Sequence, residues 1–253
     1  DYNRDGDFAD AGETVYTRAA STTSPIVGTF TIPTTATTGV TRMRVSLKYN
    51  AIPTACETFS YGQVEDYSVQ ILAASNTLNL KAFIEGFYDV STHQMQPVRF
   101  NQGTSSVTTD TDNIDVELRN PLTYALVAST QAMLKTDGTA TCTFSPAQIG
   151  SYYVVIKHRS SIQTWSANPV TLSATTTSYD FTNAANKAFG SNMKQLENNV
   201  WGIYSGDLSQ DGVIDSSDYV LWESDYNNFS FGDFATDLNG DGIVDSSDYV
   251  IWE

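Results

Sequence analysis

Regularly spaced carboxylates near the C-terminus are the side chains of this sequence best suited to do chemistry. Residues 207–253 contain twelve Asp or Glu and no Lys or Arg. A 17-residue segment that begins at Asp207 recurs 30 residues later, beginning at Asp237, with twelve identical positions. Glycines separate the acidic residues, so the charge is gathered in turns rather than spread over the chain. This clustering predicts oxygen ligands for a hard cation.

Each copy fits a twelve-residue calcium loop, which we call loop 1 (207–218) and loop 2 (237–248). Ligands on alternate residues wrap a large ion with oxygens, and Gly212 and Gly242 stand where the loop must turn sharply. Magnesium would need a tighter octahedron, and zinc would favour His or Cys. The sequence therefore predicts two calcium ions. Their predicted ligands are Asp207, Ser209, Asp211, Val213 (through its carbonyl), Asp215 and Asp218 in loop 1, and Asp237, Asn239, Asp241, Ile243 (through its carbonyl), Asp245 and Asp248 in loop 2.

A helix is predicted after each loop, but not before it. Ser216–Glu223 can form a helix with Asp215 as its N-cap, whereas the segment entering loop 1, Gly202–Gly206, is short and contains two glycines. A loop followed by a helix, twice, resembles the dockerin module over residues 207–253. That family attaches secreted enzymes and surface proteins to cohesin domains in a calcium-dependent way.

The dockerin resemblance also implies contact residues. In that family the pair after the ninth loop position often contacts the cohesin, and here the pairs are Ser216, Ser217 and Ser246, Ser247. The alternative is that these serines are simply first-turn helix residues. Tyr219, Trp222, Tyr249 and Trp252 are expected to form the core of the module, since each pair shares a helix face. Ile214 and Val244 are expected to pair the two loops.

A third acidic loop opens the chain as DYNRDGDFADAGE. Its first acids repeat the alternate-oxygen pattern around Gly6, although the later spacing differs from that of loops 1 and 2. The sequence predicts a third calcium here, and the alternative is an acidic β-turn. The predicted ligands are Asp1, Asn3, Asp5, Asp7, Asp10 and Glu13.

Residues 1–72 resemble the GEVED domain. Strands are predicted at Ile26–Ile32, Thr41–Tyr49 and Tyr61–Ile71. The acidic opening, RMRVSLKYN and YGQVEDYSVQI carry the resemblance, in which Gln63 departs from the motif that names the family. The resemblance implies a partial β-sandwich accessory domain of secreted bacterial proteins. In that family an apolar strand would precede Asp1, so we expect either that this domain is truncated or that another chain supplies the missing strand.

Short apolar strands dominate the middle of the sequence. Six or seven of them between residues 78 and 178, separated by turn residues, predict an immunoglobulin-like or fibronectin-like sandwich. Residues 179–206 are predicted to be a connecting segment that docks the calcium module onto it. The predicted fold class is mainly β: two β-sandwich domains followed by a small dockerin-like loop-helix calcium module.

Several function classes find no support in the sequence. His93 and His158 are the only histidines, and neither belongs to a catalytic or zinc motif. Residues 14–206 have equal numbers of acidic and basic side chains, so no basic patch favours nucleic acid. No apolar run is long enough for a membrane span. Cys56 and Cys142 are predicted to be thiols, with a disulfide as the alternative.

The sequence thus favours a non-catalytic, calcium-stabilised structural or anchoring segment of a secreted or cell-surface bacterial protein. Three alternatives remain: a dockerin that binds a cohesin-type partner, an adhesin or filament subunit that self-associates, and a polysaccharide-binding accessory region of a secreted hydrolase.

Overall fold

The computed structural model describes residues 1–252, and the chain separates into two compact units at Ala73 and Ala74. The first unit contains one antiparallel pair of strands, β1 (Gly39–Lys48) and β2 (Gly62–Ile71), in which Met43 faces Tyr67 and Arg44 faces Asp66. Both strands match predicted segments. The strand predicted at Ile26–Ile32 is wrong, because these residues take an irregular extended course.

The second unit is built around a β-sandwich. Its elements, in chain order, are β3 (Asn76–Lys81), β4 (Tyr88–Asp89), β5 (Gln94–Met95), α1 (Val98–Asn101), β6 (Asp110–Arg119), β7 (Leu126–Lys135), β8 (Thr139–Phe144), β9 (Gly150–His158), β10 (Ser161–Trp165), β11 (Val170–Leu172), β12 (Thr176–Asp180), β13 (Lys194–Glu197), β14 (Val200–Gly202), α2 (Ser216–Asn227) and α3 (Ser246–Trp252).

Two sheets face each other across the core of the sandwich. One has the strand order β10-β9-β6-β7, with β11 also paired to β9, and the other has the order β12-β3-β8. Alternating apolar residues point inward from both, for example Leu78 on β3, Cys142 on β8 and Val116 on β6, all fully buried. The mainly β prediction is confirmed. In the first unit the described strands form a two-stranded sheet rather than two facing sheets.

The C-terminal tail, residues 207–252, belongs to the same compact unit as the sandwich. α2 and α3 follow the two loops directly, and the backbone between Asn228 and Thr236 is not helical. The tail has its own small core, in which Leu208, Trp222, Leu238 and Val244 are buried. Among residues 1–252, no helix is both long and apolar enough to cross a membrane.

Candidate metal centres

The two C-terminal loops fold alike because the same side chains satisfy the same backbone groups. Asp207 accepts hydrogen bonds from the backbone N–H groups of Asp211 (3.2 Å) and Gly212 (3.1 Å). Asp237, its counterpart, accepts from Asp241 (3.2 Å) and Gly242 (2.8 Å). The first acid of each loop thus fixes the turn around the glycine, whose φ is positive in both copies.

The last acid of each loop closes it. In loop 1, Asp218 accepts from the N–H groups of Ser209 (2.7 Å) and Asp215 (2.8 Å). In loop 2, Asp248 accepts from Asn239 (3.0 Å) and Asp245 (2.8 Å). The predicted N-cap role of Asp215 is confirmed, since its side chain accepts from the N–H of Ser217.

Four carboxylates of the tail are buried without a basic partner. Asp207, Asp218, Asp237 and Asp248 are each at most 1% exposed, and residues 207–252 contain no Lys or Arg. Burial raises the pKa of Asp207 and of Asp237, and burial together with the nearby Asp237 raises the pKa of Asp248 to about 7. Buried carboxylates are ordinarily paired or metal-bound. The types of donor in each loop therefore suit a divalent cation, although no three acidic side chains of loop 1 or of loop 2 have oxygens within 4.8 Å of one another.

The core of the tail is aromatic, as predicted. Tyr219 and Tyr249 lie 6.0 Å apart between ring centroids, and each lies 5.3–5.7 Å from both Trp222 and Trp252, mostly tilted. The predicted pairing of the loops through Ile214 and Val244 is wrong. Loop 2 instead pairs with the segment after α2, through a bridge between Phe231 and Ile243 and a bond from the N–H of Val244 to the carbonyl of Ser230 (3.0 Å).

Loop 2 lies against the sandwich at a surface formed by Val98–Gln102, which we call the loop 2 platform. The amide of Asn101 donates to the carbonyl of Gly240 (2.8 Å), and the amide of Gln102 donates to Asp237 (2.8 Å). A Cβ on Gly240 would lie 2.3 Å from the Val98 side chain. In loop 1 the corresponding residue is Gln210. The contacts of the loop 2 platform were not predicted from the sequence. The one sequence feature that could have indicated them is the exchange of Gln210 in loop 1 for Gly240 in loop 2.

The N-terminal loop gathers its acids differently. Single oxygens of Asp5, Asp7 and Asp10 lie within 4.8 Å of one another, and within residues 1–252 this is the one group of three acidic, His or Cys side chains drawn so close. The backbone N–H of Asp7 lowers the pKa of Asp5, while desolvation and the neighbouring Asp5 raise that of Asp10. The amide of Asn3 donates to both Asp5 (2.9 Å) and Asp10 (2.6 Å).

Asp1 and Glu13 flank this group. Each has one buried carboxylate oxygen without a hydrogen-bond partner, and the other Glu13 oxygen accepts from the N–H of Tyr2 (2.6 Å). All six predicted ligands thus lie along one folded loop. β2 carries the segment that resembles the GEVED motif, where Arg44 binds both oxygens of Asp66 at 2.7 Å, so this acid has a structural partner.

Each of the two histidines contacts an acidic side chain. His158 is buried, with Nε2 3.2 Å from Asp112 and its ring edge-on to Phe87. His93 is exposed and contacts Glu197 (2.9 Å). Both cysteines are free thiols, Cys56 exposed and Cys142 buried, and burial raises the pKa of Cys142 to about 12.

An aromatic cluster lies on the sheet that contains β9 and β10. Tyr153 packs against Tyr124, Trp165 and Phe189, with centroids 5.9–6.5 Å apart and interplanar angles of 36–86°. Arg119 lies 5.8 Å from the Trp165 ring. The rings are tilted against each other rather than aligned in one plane, which disfavours a flat platform for stacking sugars.

Comparisons with known proteins identify a family for part of the chain. Residues 1–70 match the model of the GEVED domain family. A search of curated proteins found no match. Two of the matching solved structures are complexes of a type II cohesin with an X-dockerin from Acetivibrio cellulolyticus, one a C-terminal and one an N-terminal interface mutant. Both show 16% identity and cover 70% of this chain and 92% of the matched chain, with TM-scores of 0.42 and 0.40. Scores this low support no inference about this chain.

Proposed function

We propose that this chain is a non-catalytic, calcium-stabilised structural and anchoring segment of an extracellular protein. The observation that carries the proposal is the set of four buried, unneutralised carboxylates in two matching loops. A bound Ca²⁺ in each loop supplies the positive charge that these acids need, and it makes folding of the tail depend on the metal. The predicted third site near Asp5, Asp7 and Asp10 extends the same role to the first unit.

The tail offers one face for attachment to a partner. Loop 2 is docked on the sandwich, whereas Ser216, Ser217, Val220 and Leu221 at the start of α2 are exposed. This arrangement supports a dockerin-like role, in which a cohesin-type protein binds the exposed face of α2 while the docked loop fixes the tail to its own chain. The exposed apolar pair Val220 and Leu221 provides contact area, and the serines provide hydrogen bonds.

A calcium titration tests the proposal. We expect isothermal titration calorimetry of the metal-free chain to show two ions bound in the tail and a third in the first unit. Asp211→Ala should remove binding at loop 1 and Asp241→Ala at loop 2. Glu223→Gln is the matched control, because it removes an acidic residue of the tail that belongs to neither loop. Absence of calcium at both loops would overturn the proposal.

Self-association through the first unit is a second candidate function. Its two-stranded sheet leaves Val45, Leu47, Val64 and Tyr67 exposed, and a free apolar sheet is suited to pairing with another chain. Sedimentation velocity of the chain over a range of concentrations tests it. Replacement of Val45 and Leu47 by Thr should abolish any dimer, and a monomer at every concentration would exclude this function.

A further inference from the structure

Near-identical loops should bind calcium alike unless their surroundings differ, and here they differ sharply. Most of loop 1 is exposed between its buried first and last acids, whereas Gly240, Gly242 and Val244 of loop 2 are buried. A Cβ on Gly212 would meet nothing within 4 Å, but one on Gly242 would lie 2.8 Å from the carbonyl oxygen of Asn101. Loop 1 reaches the sandwich through the Gln210 side chain, which donates to the carbonyl of Ser161 (3.4 Å), whereas loop 2 also has its glycine backbone packed against the sandwich.

The contact that most clearly distinguishes loop 2 from loop 1 is made to a predicted calcium ligand. The side-chain amide of Gln102 donates to Oδ2 of Asp237, the first predicted ligand of loop 2, and Gln102 is only 7% exposed. Asp207, the equivalent residue of loop 1, accepts from backbone N–H groups of its own loop. A hydrogen bond from a buried neighbour fixes the orientation of a ligating carboxylate before the ion arrives, so less ordering is needed on binding.

Gln102 is itself held in place by the sandwich. Its carbonyl oxygen accepts from Nη2 of Arg159 (2.7 Å), so the amide must present its NH₂ group to Asp237. Arg159 in turn donates through Nε to the buried Asp112 (2.7 Å) and through Nη1 to Asp233 of the tail (2.6 Å). The guanidinium fork thus engages three partners at once, a geometry that the single ammonium of Lys cannot reproduce.

We propose that Gln102, oriented by Arg159, is an outer-sphere positioning residue for the calcium site of loop 2, and that it makes loop 2 the tighter of the two C-terminal sites. This inference rests on the proposed calcium function. It assigns to the sandwich a direct part in metal binding: calcium at loop 2 stabilises the contact between tail and sandwich, whereas calcium at loop 1 stabilises the tail alone.

The test isolates each site in turn. Asp211→Ala leaves loop 2 as the only C-terminal site, and Asp241→Ala leaves loop 1. In the first background, we expect Gln102→Met, which keeps the side-chain volume but removes both the donor to Asp237 and the acceptor for Arg159, to weaken calcium binding about 10- to 100-fold. In the second background the same change should leave the affinity unaltered. Gln131→Ala, an exposed glutamine on β7, is the control for loss of a glutamine.

A second measurement separates positioning from ordinary packing. If Gln102 only supported the fold, Gln102→Met would lower the melting temperature equally with EDTA and with calcium. The inference requires a larger loss with calcium, because the metal-dependent increment itself shrinks. Arg159→Lys, which keeps the charge, should give a smaller loss in the same direction, and it replaces Gln102→Met if that variant fails to fold.

The outcomes are distinct. Absence of calcium at the remaining C-terminal loop in both backgrounds, whatever the first unit binds, would overturn the proposed function. Calcium present in both, with equal affinity and equal sensitivity to Gln102→Met, would leave that function intact and overturn the inference.

Discussion

Loops 1 and 2 share eight of their twelve residues, yet loop 2 is packed against the sandwich far more extensively than loop 1. In loop 1, Gln210 occupies the fourth position with a φ of 60°, and its side chain reaches back to the carbonyl of Asp207. In loop 2, Gly240 adopts a similar φ of 74° with Val98 directly against it. The two backbones are alike, so the exchange reflects the neighbour rather than the loop conformation.

This difference shows how a duplicated module can divide its tasks. Loop 2 contacts Asn101 and Gln102 of the sandwich. The helix that follows loop 1, α2, has an exposed face at its start. Ser216 and Ser217 of the open copy are exposed, as are Ser246 and Ser247 of the docked one. In α3, however, Ile251 lies near Gly86 of the sandwich. Less of the surface of α3 than of α2 is therefore open to a partner.

Of the changes that distinguish loop 1 from loop 2, calcium removal should have the largest effect on stability. At free calcium a thousandfold above Kd, each site would stabilise the tail by about 4 kcal/mol. With EDTA we expect hydrogen exchange to be fastest in loop 1 and α2, slower in loop 2, which Asn101 and Gln102 still hold, and slowest in β6 and β9. Equal exchange of residues 207–252 with and without calcium would show that the metal does not stabilise the tail.

Gly240→Gln gives the docked loop the residue of the open one. Because the new Cβ would lie 2.3 Å from Val98 and 3.1 Å from Phe87, we expect a loss of about 1–3 kcal/mol in stability through overpacking. Urea denaturation followed by tail fluorescence measures it.

The reciprocal change, Gln210→Gly, is the control for Gly240→Gln. It introduces no clash, and it should alter stability far less. If both substitutions cost the same, docking of loop 2 on Val98 does not explain the exchange.

Local features of both loops could be predicted from sequence, because the bonds that their first and last acids accept from backbone N–H groups join residues no more than ten positions apart. The glycine turns, the N-cap at Asp215 and the aromatic core of the tail belong to this class. So do the strands of the sandwich, whose apolar alternation reflects a buried face. The irregular course of Ile26–Ile32 was missed, because a short apolar alternation does not ensure that a pairing strand lies beside it.

The docking of loop 2 could not be predicted, because polar contacts between distant segments leave no periodicity. Gln102 and Asp237 are 135 positions apart, and Arg159 reaches Asp112 across 47 positions and Asp233 across 74. The ligand sets of all three loops stay predictions: within residues 1–252 the structure brings three acidic side chains within 4.8 Å only in the N-terminal loop, at Asp5, Asp7 and Asp10.

A lower pH should raise the stability of the metal-free tail but reduce the stability of the sandwich. Burial raises the pKa of Asp248 to about 7, so the folded, metal-free tail holds a proton that the unfolded chain releases near pH 4. Its stability therefore falls as pH rises from about 4 to 7. Burial raises the pKa of Asp112, but His158 and Arg159 lower it more, to about 2, so the sandwich loses stability as pH falls from about 4 to 2.

Trp fluorescence can follow the two regions separately. In a Trp165→Phe, Trp201→Phe background, Trp222 and Trp252 report on the tail, and the opposite pair of substitutions reports on the sandwich. With EDTA we expect a higher urea midpoint for the tail at pH 5 than at pH 7.5. Asp248→Asn should reduce this dependence, with the buried Asp207 and Asp237, whose pKa values are also raised, accounting for the rest, and a tail that instead gains stability toward pH 7.5 would contradict it.

Asn101→Ala should produce the smallest effect, and it tests whether the platform acts through its backbone contact as well as through Gln102. The substitution removes one neutral hydrogen bond, from the Asn101 amide to the Gly240 carbonyl, which contributes about 1 kcal/mol. Because Gly240 is not a predicted ligand, we expect calcium affinity at loop 2 to change much less than in Gln102→Met. Thr104→Ala, which removes a hydroxyl bonded to Arg99 just beyond the platform, is the matched control. A loss of affinity as large as that of Gln102→Met would mean that the whole platform, and not one amide, sets the difference between the loops.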